Sequence, residues 1–293
     1  MKNPKYWWFL LLFQKIVAIV PHSWGVALGG WMGFLLWAVD RSHVDAAESR
    51  CVRVLGVGVT LARSVVRRSY MNLGRGAAEF LRLPFMKNSL SRYVRVHGES
   101  NLAAAYAEGH GVILLTAHFG NWELAAARLA EMGYPMNAIG ASQRHDALTD
   151  LIASLRESAG VRTLGKGFDL RRSLECLKEG ELLGVLLDQD PREQGMVVPF
   201  LGIPASTPVG PVKMVHKRNA RVVPLFIVRR KEGACHDLYL LPALEGDEGK
   251  PFGEDLEKSL TQCNDVLSSW IEKYPDHWMW LYPRWASTME DKK

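Results

Sequence analysis

The chain has 293 residues, enough for one full α/β core plus a further N-terminal region, and its 48% hydrophobic and 23% charged residues exclude a disordered polymer. The formal charge of +5, with a pI near 9.0, suits anionic lipid head groups or an acidic protein partner, while basic residues this dispersed argue against nucleic acid as a partner. Four cysteines (Cys51, Cys176, Cys235 and Cys263) stand far apart with no C-x-x-C pair, which excludes zinc spacing and a disulfide framework and predicts reduced thiols facing the cytoplasm.

Lys2 and Lys5 precede an apolar run at 6–13, interrupted by Gln14 and Lys15 and resumed at 16–21. A second apolar run covers 24–39 and ends at Asp40-Arg41. Neither has the ~18 uninterrupted apolar residues of a clear spanning helix. Gly25, Gly29, Gly30 and Gly33 loosen the second run, and no A-x-A cleavage site follows. Residues 1–40 therefore read as a membrane anchor or as interfacial helices with tryptophan anchors, against the alternative of a buried soluble pair.

Residues 41–293 form the second unit, helical over 41–95 and α/β over 96–287. Ser42 and Asp45 are plausible caps for the helical part. Arg63, Arg67 and Arg68 read as a solvated face or as lipid-phosphate contacts. A short strand at 94–97 leads to a Ser100-capped helix ending near Glu108, and Gly109-His110-Gly111 turns into a buried strand at 112–115.

His118 stands where the chain leaves the carboxyl end of that strand, which is where open α/β sheets bind ligands. Gly120 and Asn121 make a turn, and the alanine-rich stretch after Glu123 starts a helix. Folding back over the turn, the Glu123 carboxylate would fix the imidazole tautomer while neutral His118 removes a proton from a hydroxyl. With no Ser or Cys nucleophile beside it, that hydroxyl belongs to the substrate. A satisfied strand-end histidine is the competing reading of an isolated H-x4-E.

Further elements follow: a strand at 136–141, a helix at 146–159, a strand at 182–187, a helix at 209–218, strands at 221–228 and 236–242, and a helix at 254–272. Their alternation predicts a mixed central sheet covered by helices on both faces. Arg156 on the second of these could hold a carboxylate or phosphate bidentately, or form a salt bridge within its helix. Gly165-Lys166-Gly167 is a phosphate-turn candidate that completes neither the Walker nor the Rossmann pattern. Asp188 and Gln189 occupy a strand end as His118 does, where turn capping is the alternative role. Residues 195–208 read as an ordered loop over a pocket, and Thr207 as a cap for the helix at 209–218.

His118-Phe119-Gly120-Asn121-Trp122-Glu123 resembles the H-x4-D/E motif of the glycerolipid and lysophospholipid acyltransferase superfamily, and more narrowly the late acyltransferases of bacterial lipid A biosynthesis. Arg156–Gly160 is similar to that family's R-x-x-x-G block and Asp188-Gln189-Asp190 to its D-Q turn. Pro199-Phe200-Leu201-Gly202 with Ala205-Ser206-Thr207 is similar to P-F-F-G-x-x-A-x-T, and residues 278–285 to the closing W-x-W-x-H-x-R-W. The resemblance spans roughly residues 1–287. Tyr282 and Pro283 depart from it, so no catalytic role is expected there and the closing block is expected to pack, with Arg284 in an ion pair. Leu201 replaces a usual Phe, which would alter the shape of an acyl pocket.

The resemblance implies an O-acyltransferase with catalytic His118 and Glu123 and substrate-binding Asn121, Trp122, Arg156, Asp188, Gln189, Phe200 and Thr207. It implies a loop for substrate at Gln143-Arg144-His145. It further implies an acyl carrier protein thioester, or acyl-CoA, as donor, a lipid A precursor or related glycolipid as acceptor, and the cytoplasmic face of a bacterial inner membrane as location. Arg229-Arg230-Lys231 is a candidate docking cluster for the acidic carrier. No cofactor and no metal are expected, since no ligand pair stands at useful spacing. The alternatives are acylation of a glycerolipid, lysophospholipid or other glycolipid, and a catalytically silent membrane scaffold.

Overall fold

The computed structural model describes residues 7–140, 146–165, 169–231, 233–246 and 249–289. The Gln143–His145 loop and, in the Gly165–Gly167 turn, Lys166 and Gly167 lie outside the described residues. Helices α1 (Trp7–Ile19) and α2 (His22–Val39) form a hairpin that turns at Pro21, followed by α3 (Arg41–Leu55) and α4 (Val59–Arg82). The α2 glycines do not loosen the helix; they are its contact surface. A Cβ on Gly33 would run into the Tyr70 carbonyl of α4, and one on Gly74 of α4 into the Gly29 carbonyl, so the two backbones touch where side chains would not fit. Arg82 at the end of α4 donates to the carbonyls of Val17 and Val20, satisfying the last turn of α1. Asp45 pairs with Arg41 rather than capping α3. Arg68 pairs with Asp276, and the Arg63 guanidinium lies over the Trp37 ring.

The outer surface of the hairpin is apolar: Trp8, Phe9, Ile19, Trp24, Trp31 and Val39 are each more than half exposed. Among the described residues, no helix is long and apolar enough to cross a membrane.

The remainder alternates strand and helix, with β4 and α8 beyond the elements expected from the sequence: β1 (Val94–His97), α5 (Glu99–Ala107), β2 (Val112–Thr116), α6 (Trp122–Glu131), β3 (Met136–Ile139), α7 (Asp146–Ser158), β4 (Val161–Leu164), α8 (Leu170–Lys178), β5 (Leu182–Leu186), β6 (Met196–Phe200), β7 (Ile203–Thr207), α9 (Gly210–Arg218), β8 (Arg221–Arg229), β9 (His236–Leu240) and α10 (Leu256–Lys273). The central sheet has the order β1-β9-β8-β2-β5-β3-β4 and is parallel except where β8 meets β9. All five residues of β2 are buried, as a strand covered on both faces requires. Alternate residues feed two cores. Ile113, Leu115 and Val185 join one with Phe226 and Trp278, while Leu114, Leu182 and Leu225 join the other with Leu124 of α6.

Two local readings change. Residues 196–207 form an antiparallel hairpin of β6 and β7, not a loop, because Val198, Phe200 and Ala205 alternate inward beneath the sheet. The start of α5 is set by Gly98, whose φ of +73° is left-handed, so Ser100 is not its cap.

Candidate active site

Neighbouring strands β2 and β5 run parallel in register, with Thr116 beside Leu186. Each chain therefore leaves the sheet at the same level, and His118 and Asp188, two residues further on, meet. The His118 backbone N–H donates to Asp188 Oδ2 at 2.9 Å, and His118 Nδ1 lies 2.9 Å from Asp188 Oδ1. A carboxylate only accepts, so Nδ1 carries the proton and Nε2 keeps the lone pair. The Trp278 indole N–H adds a further hydrogen bond to Asp188 Oδ2 at 2.8 Å, and Asp188 is fully buried. Burial opposes the charged form of both partners. For His118, the charge and hydrogen bond of Asp188, helped by the charge of Glu123, outweigh it and raise the pKa above its usual value. For Asp188, the charge and hydrogen bonds of His118 and the Trp278 bond hold the carboxyl below its usual range.

The expected contact between Glu123 and the imidazole is replaced by this one. Glu123 turns instead to α7, where Arg156 donates from Nη2 to Oε1 at 2.6 Å and from Nε to Oε2 at 2.8 Å. The Trp122 indole also donates to Glu123 Oε1, at 3.1 Å. Arg156 is thereby neither an intrahelical bridge nor a free anion site: a second element claims its fork, and its Nη1 donates to the Ile139 carbonyl.

The turn joining His118 to α6 is fixed from several sides. Gly120 has φ +60°, and a Cβ there would strike the Ile227 carbonyl. Its N–H donates to His277 O at 2.8 Å, while Met279 N–H donates to His118 O at 3.0 Å. Asn121 caps α6, its Oδ1 accepting from Leu124 N–H at 3.1 Å. Its Nδ2 donates to Glu79 Oε2 at 2.7 Å. Glu79 is fully buried on α4 and is gripped by both Nη atoms of Arg229 on β8, each at 2.7 Å. Burial opposes the Glu79 charge, but the positive charge available from His236 and Arg229, with hydrogen bonds from Arg229 and Asn121, holds its carboxyl below the usual range. Burial also pushes His236 down to about 4, so at neutral pH Arg229 carries the compensation. Arg229 is accordingly not available to a docking carrier protein, and the basic cluster proposed there loses its first member.

A cavity of about 810 Å³ opens at His118 and extends between the sheet and helices α4, α6 and α7. Asn121, Trp122, Glu123, Arg156 and Gln189 line it. Trp122 meets the His118 ring edge-on at 5.1 Å, and Tyr282 stacks on it at 6.1 Å. Tyr282 is held there by its hydroxyl, which accepts from Asp190 N–H at 3.1 Å. The departure at Tyr282 thus supplies a wall of the imidazole pocket.

Phe200 and Thr207, expected to bind substrate, are fully buried and do not line the cavity. Phe200 packs between Trp278 and Trp285. Thr207 accepts from Arg284 Nη2 at 2.7 Å and Asn264 Nδ2 at 3.1 Å rather than capping α9, which begins without a side-chain cap. Among the described residues Arg284 has no ion-pair partner: it donates to Thr207 and to the Ser206 carbonyl and lies 4.8 Å from the Phe200 ring centre. Burial pushes its pKa down to about 10. Leu201 is buried outside the cavity, in a left-handed turn at φ +49°, so the change from Phe does not reshape the pocket. Burial pushes the Cys51, Cys176 and Cys263 thiols up to about 12, which leaves them poor nucleophiles.

Sequence reasoning missed the pairing of His118 with Asp188 and the roles of Glu79, Arg229 and Trp278. One signal was present for the first: an acid and a histidine each two residues beyond an apolar strand. Glu79, set between Ala78 and Phe80 on a buried helical face, gave a fainter one.

Comparison with known proteins gives concordant results. The sequence profile of the bacterial lipid A biosynthesis acyltransferases matches residues 1–287. The lipid A biosynthesis lauroyltransferase of Escherichia coli K12 is 25% identical over 295 residues, covering 98% of this chain and 94% of that protein. The phosphatidylinositol mannoside acyltransferase of Mycobacterium tuberculosis CDC 1551 is 26% identical over 257 residues, or 85% and 79% of the two chains. Its Mycolicibacterium smegmatis namesake is 25% identical over 285 residues, or 95% and 91%.

Proposed function

This chain belongs to the bacterial lipid A biosynthesis acyltransferase family, and from that membership and its site we propose that His118 is the general base of an acyl transfer from a thioester to a substrate hydroxyl. The protein is an O-acyltransferase. The observation that carries the mechanism is the His118–Asp188 pair at the mouth of an apolar cavity. Nε2 takes the proton of the acceptor hydroxyl as its oxygen attacks the thioester carbonyl, and Asp188 stabilises the imidazolium that forms. The tetrahedral intermediate then collapses: the C–S bond breaks, the ester remains, and the proton on Nε2 passes to the leaving thiolate. The uncapped start of α9, which reaches the cavity at Val209 and Gly210, presents its positive end to the developing oxyanion. The Glu123–Arg156 pair braces the facing wall.

The donor in this reading is an acyl carrier protein thioester, bound with its acyl chain in the cavity, and the acceptor is a hydroxyl on an acyl chain of a lipid A precursor. A second reading, another glycolipid as acceptor, is favoured by the mycobacterial relatives named for phosphatidylinositol mannoside. The test is mass analysis of products after incubation with acyl carrier protein thioesters and each acceptor. Gain of one acyl unit by the wild type but not by His118→Ala is expected with the true acceptor. Equal gain in both proteins overturns His118 as base, and gain with a different glycolipid alone keeps the chemistry and changes the acceptor.

The protein works, in this proposal, at the cytoplasmic face of a bacterial inner membrane, held by the exposed apolar face of α1 and α2 lying in the interface. Trp24→Ser with Trp31→Ser is expected to weaken co-sedimentation with vesicles containing anionic phospholipid by at least about tenfold, the equivalent of ~1.4 kcal/mol. Unchanged sedimentation would remove this face as the anchor.

A further inference from the structure

One position on the cavity wall lacks a side chain where a strand would normally supply one. Gly184 stands in the middle of β5, where glycine weakens a strand and no left-handed φ calls for it. What its hydrogen provides is room. In register it lies between Leu114 of β2 and Ala138 of β3, one row below Thr116 and Leu186 and one row above the level of Met136 and Leu182. A Cβ built on Gly184 would sit 2.9 Å from the Met136 Cε. The thioether methyl of Met136 therefore lies against the bare Gly184 backbone. Met136 is buried and lines the deep part of the cavity. Gly76 and Ala77 of α4 and Ala126 of α6 also line the cavity, beside Leu73 and Phe80 of α4.

We propose that Met136, laid across Gly184, is the floor of the acyl site and determines the length of fatty acyl chain the enzyme accepts. This rests on the reading of the cavity as the acyl-chain site. His118 is four residues beyond Leu114 and two beyond the end of β2, so the Gly184 row lies at most about 13 Å below it at ~3.3 Å per residue. An extended chain advances about 1.3 Å per methylene, given C–C bonds of ~1.5 Å in a zigzag. At most about ten carbons then reach the Met136 methyl. Met is unbranched and flexible, so substitution at either member of the pair moves the floor without dismantling the sheet. Met136→Ala empties the level beneath and deepens the site. Gly184→Val adds bulk at its own level, where the Met136 methyl now lies.

The test measures binding of saturated fatty acids of eight to eighteen carbons to the wild type, Met136→Ala and Gly184→Val, by displacement of a fluorescent fatty acid, with transfer from thioesters of the same lengths alongside. Because each buried methylene is worth about fourfold in affinity, the optimum length should be sharp. It is expected to lengthen by two or more carbons in Met136→Ala and to shorten in Gly184→Val, with about tenfold changes in relative affinity at the displaced lengths. Met136→Leu, close in volume, should keep the wild-type optimum and supplies a folded control. An unchanged optimum in both variants, with fatty acids still bound, overturns the floor alone. Failure of the wild type to bind any chain overturns the acyl-site reading and the floor with it.

Discussion

Asp188→Asn is expected to lower kcat by about 10³- to 10⁴-fold with little change in KM, through the tautomer rather than the fold. Oδ2 of Asp188 accepts two hydrogen bonds, from the His118 backbone N–H and the Trp278 indole, while Oδ1 faces His118 Nδ1. An asparagine has one oxygen, and two donors claim it. Its amide NH₂ is left facing Nδ1, which must then accept, and the ring proton moves to Nε2, where a base is needed. The pH profile gives a second readout. Burial lowers the His118 pKa, but Asp188 outweighs it and holds the imidazole above its ordinary value. A base works in its neutral form, so wild-type kcat/KM falls as pH drops through that raised pKa. Removing the Asp188 charge leaves burial dominant, and the acidic limb of the residual activity should move to lower pH. Steady-state kinetics over a range of pH checks both. A variant with near wild-type kcat, or with an unmoved limb, refutes the pairing. Glu123→Gln leaves Asp188 on Nδ1 and should lose at least about tenfold less in kcat than Asp188→Asn.

Glu79→Ala is expected to be the most destabilising single change around the site, costing about 3–5 kcal/mol because it leaves the Arg229 guanidinium buried and unpaired. For a chain of this size that corresponds to a fall in Tm on the order of 10 °C. The double variant Glu79→Met with Arg229→Met removes both charges and should recover most of the loss, since replacing a buried pair by apolar groups is often nearly neutral. It should not recover full activity. Asn121, which caps α6 with one end of its amide and is held by Glu79 with the other, would still lack its partner, and the His118 turn would lose one restraint. Thermal unfolding and kcat on the same three proteins test this. A single variant that melts like the wild type would show that the pair is not coupled to the fold.

Much of the architecture was legible because the sheet is buried on both faces. Runs such as Val112–Thr116, Leu182–Leu186 and Arg221–Arg229 leave few alternatives to a central strand, and the helices between them follow from length and periodicity. The β6–β7 hairpin was less visible, since its Gly and Pro residues also signal loop, and only the alternating burial of Val198, Phe200 and Ala205 distinguishes the two. The α2 glycines misled for a related reason. A glycine in a helix signals weakness unless another backbone is known to lie against it, and α4 follows after a whole intervening helix.

By itself the sequence determined that His118 leaves a buried strand at the ligand-binding edge of an α/β sheet, and that the motifs around it are those of an acyltransferase. Local chemistry suffices for that, because strand, turn and helix start are all encoded within a dozen residues. Only the tertiary structure decided who holds whom. Asp188 rather than Glu123 meets the imidazole because β2 and β5 are adjacent and in register, although 70 residues separate the two side chains. Arg156 crosses 33 positions to claim Glu123, and Arg229 crosses 150 to claim Glu79. Partners of a buried charge are chosen by which elements share a face and at what level, and strand order fixes that.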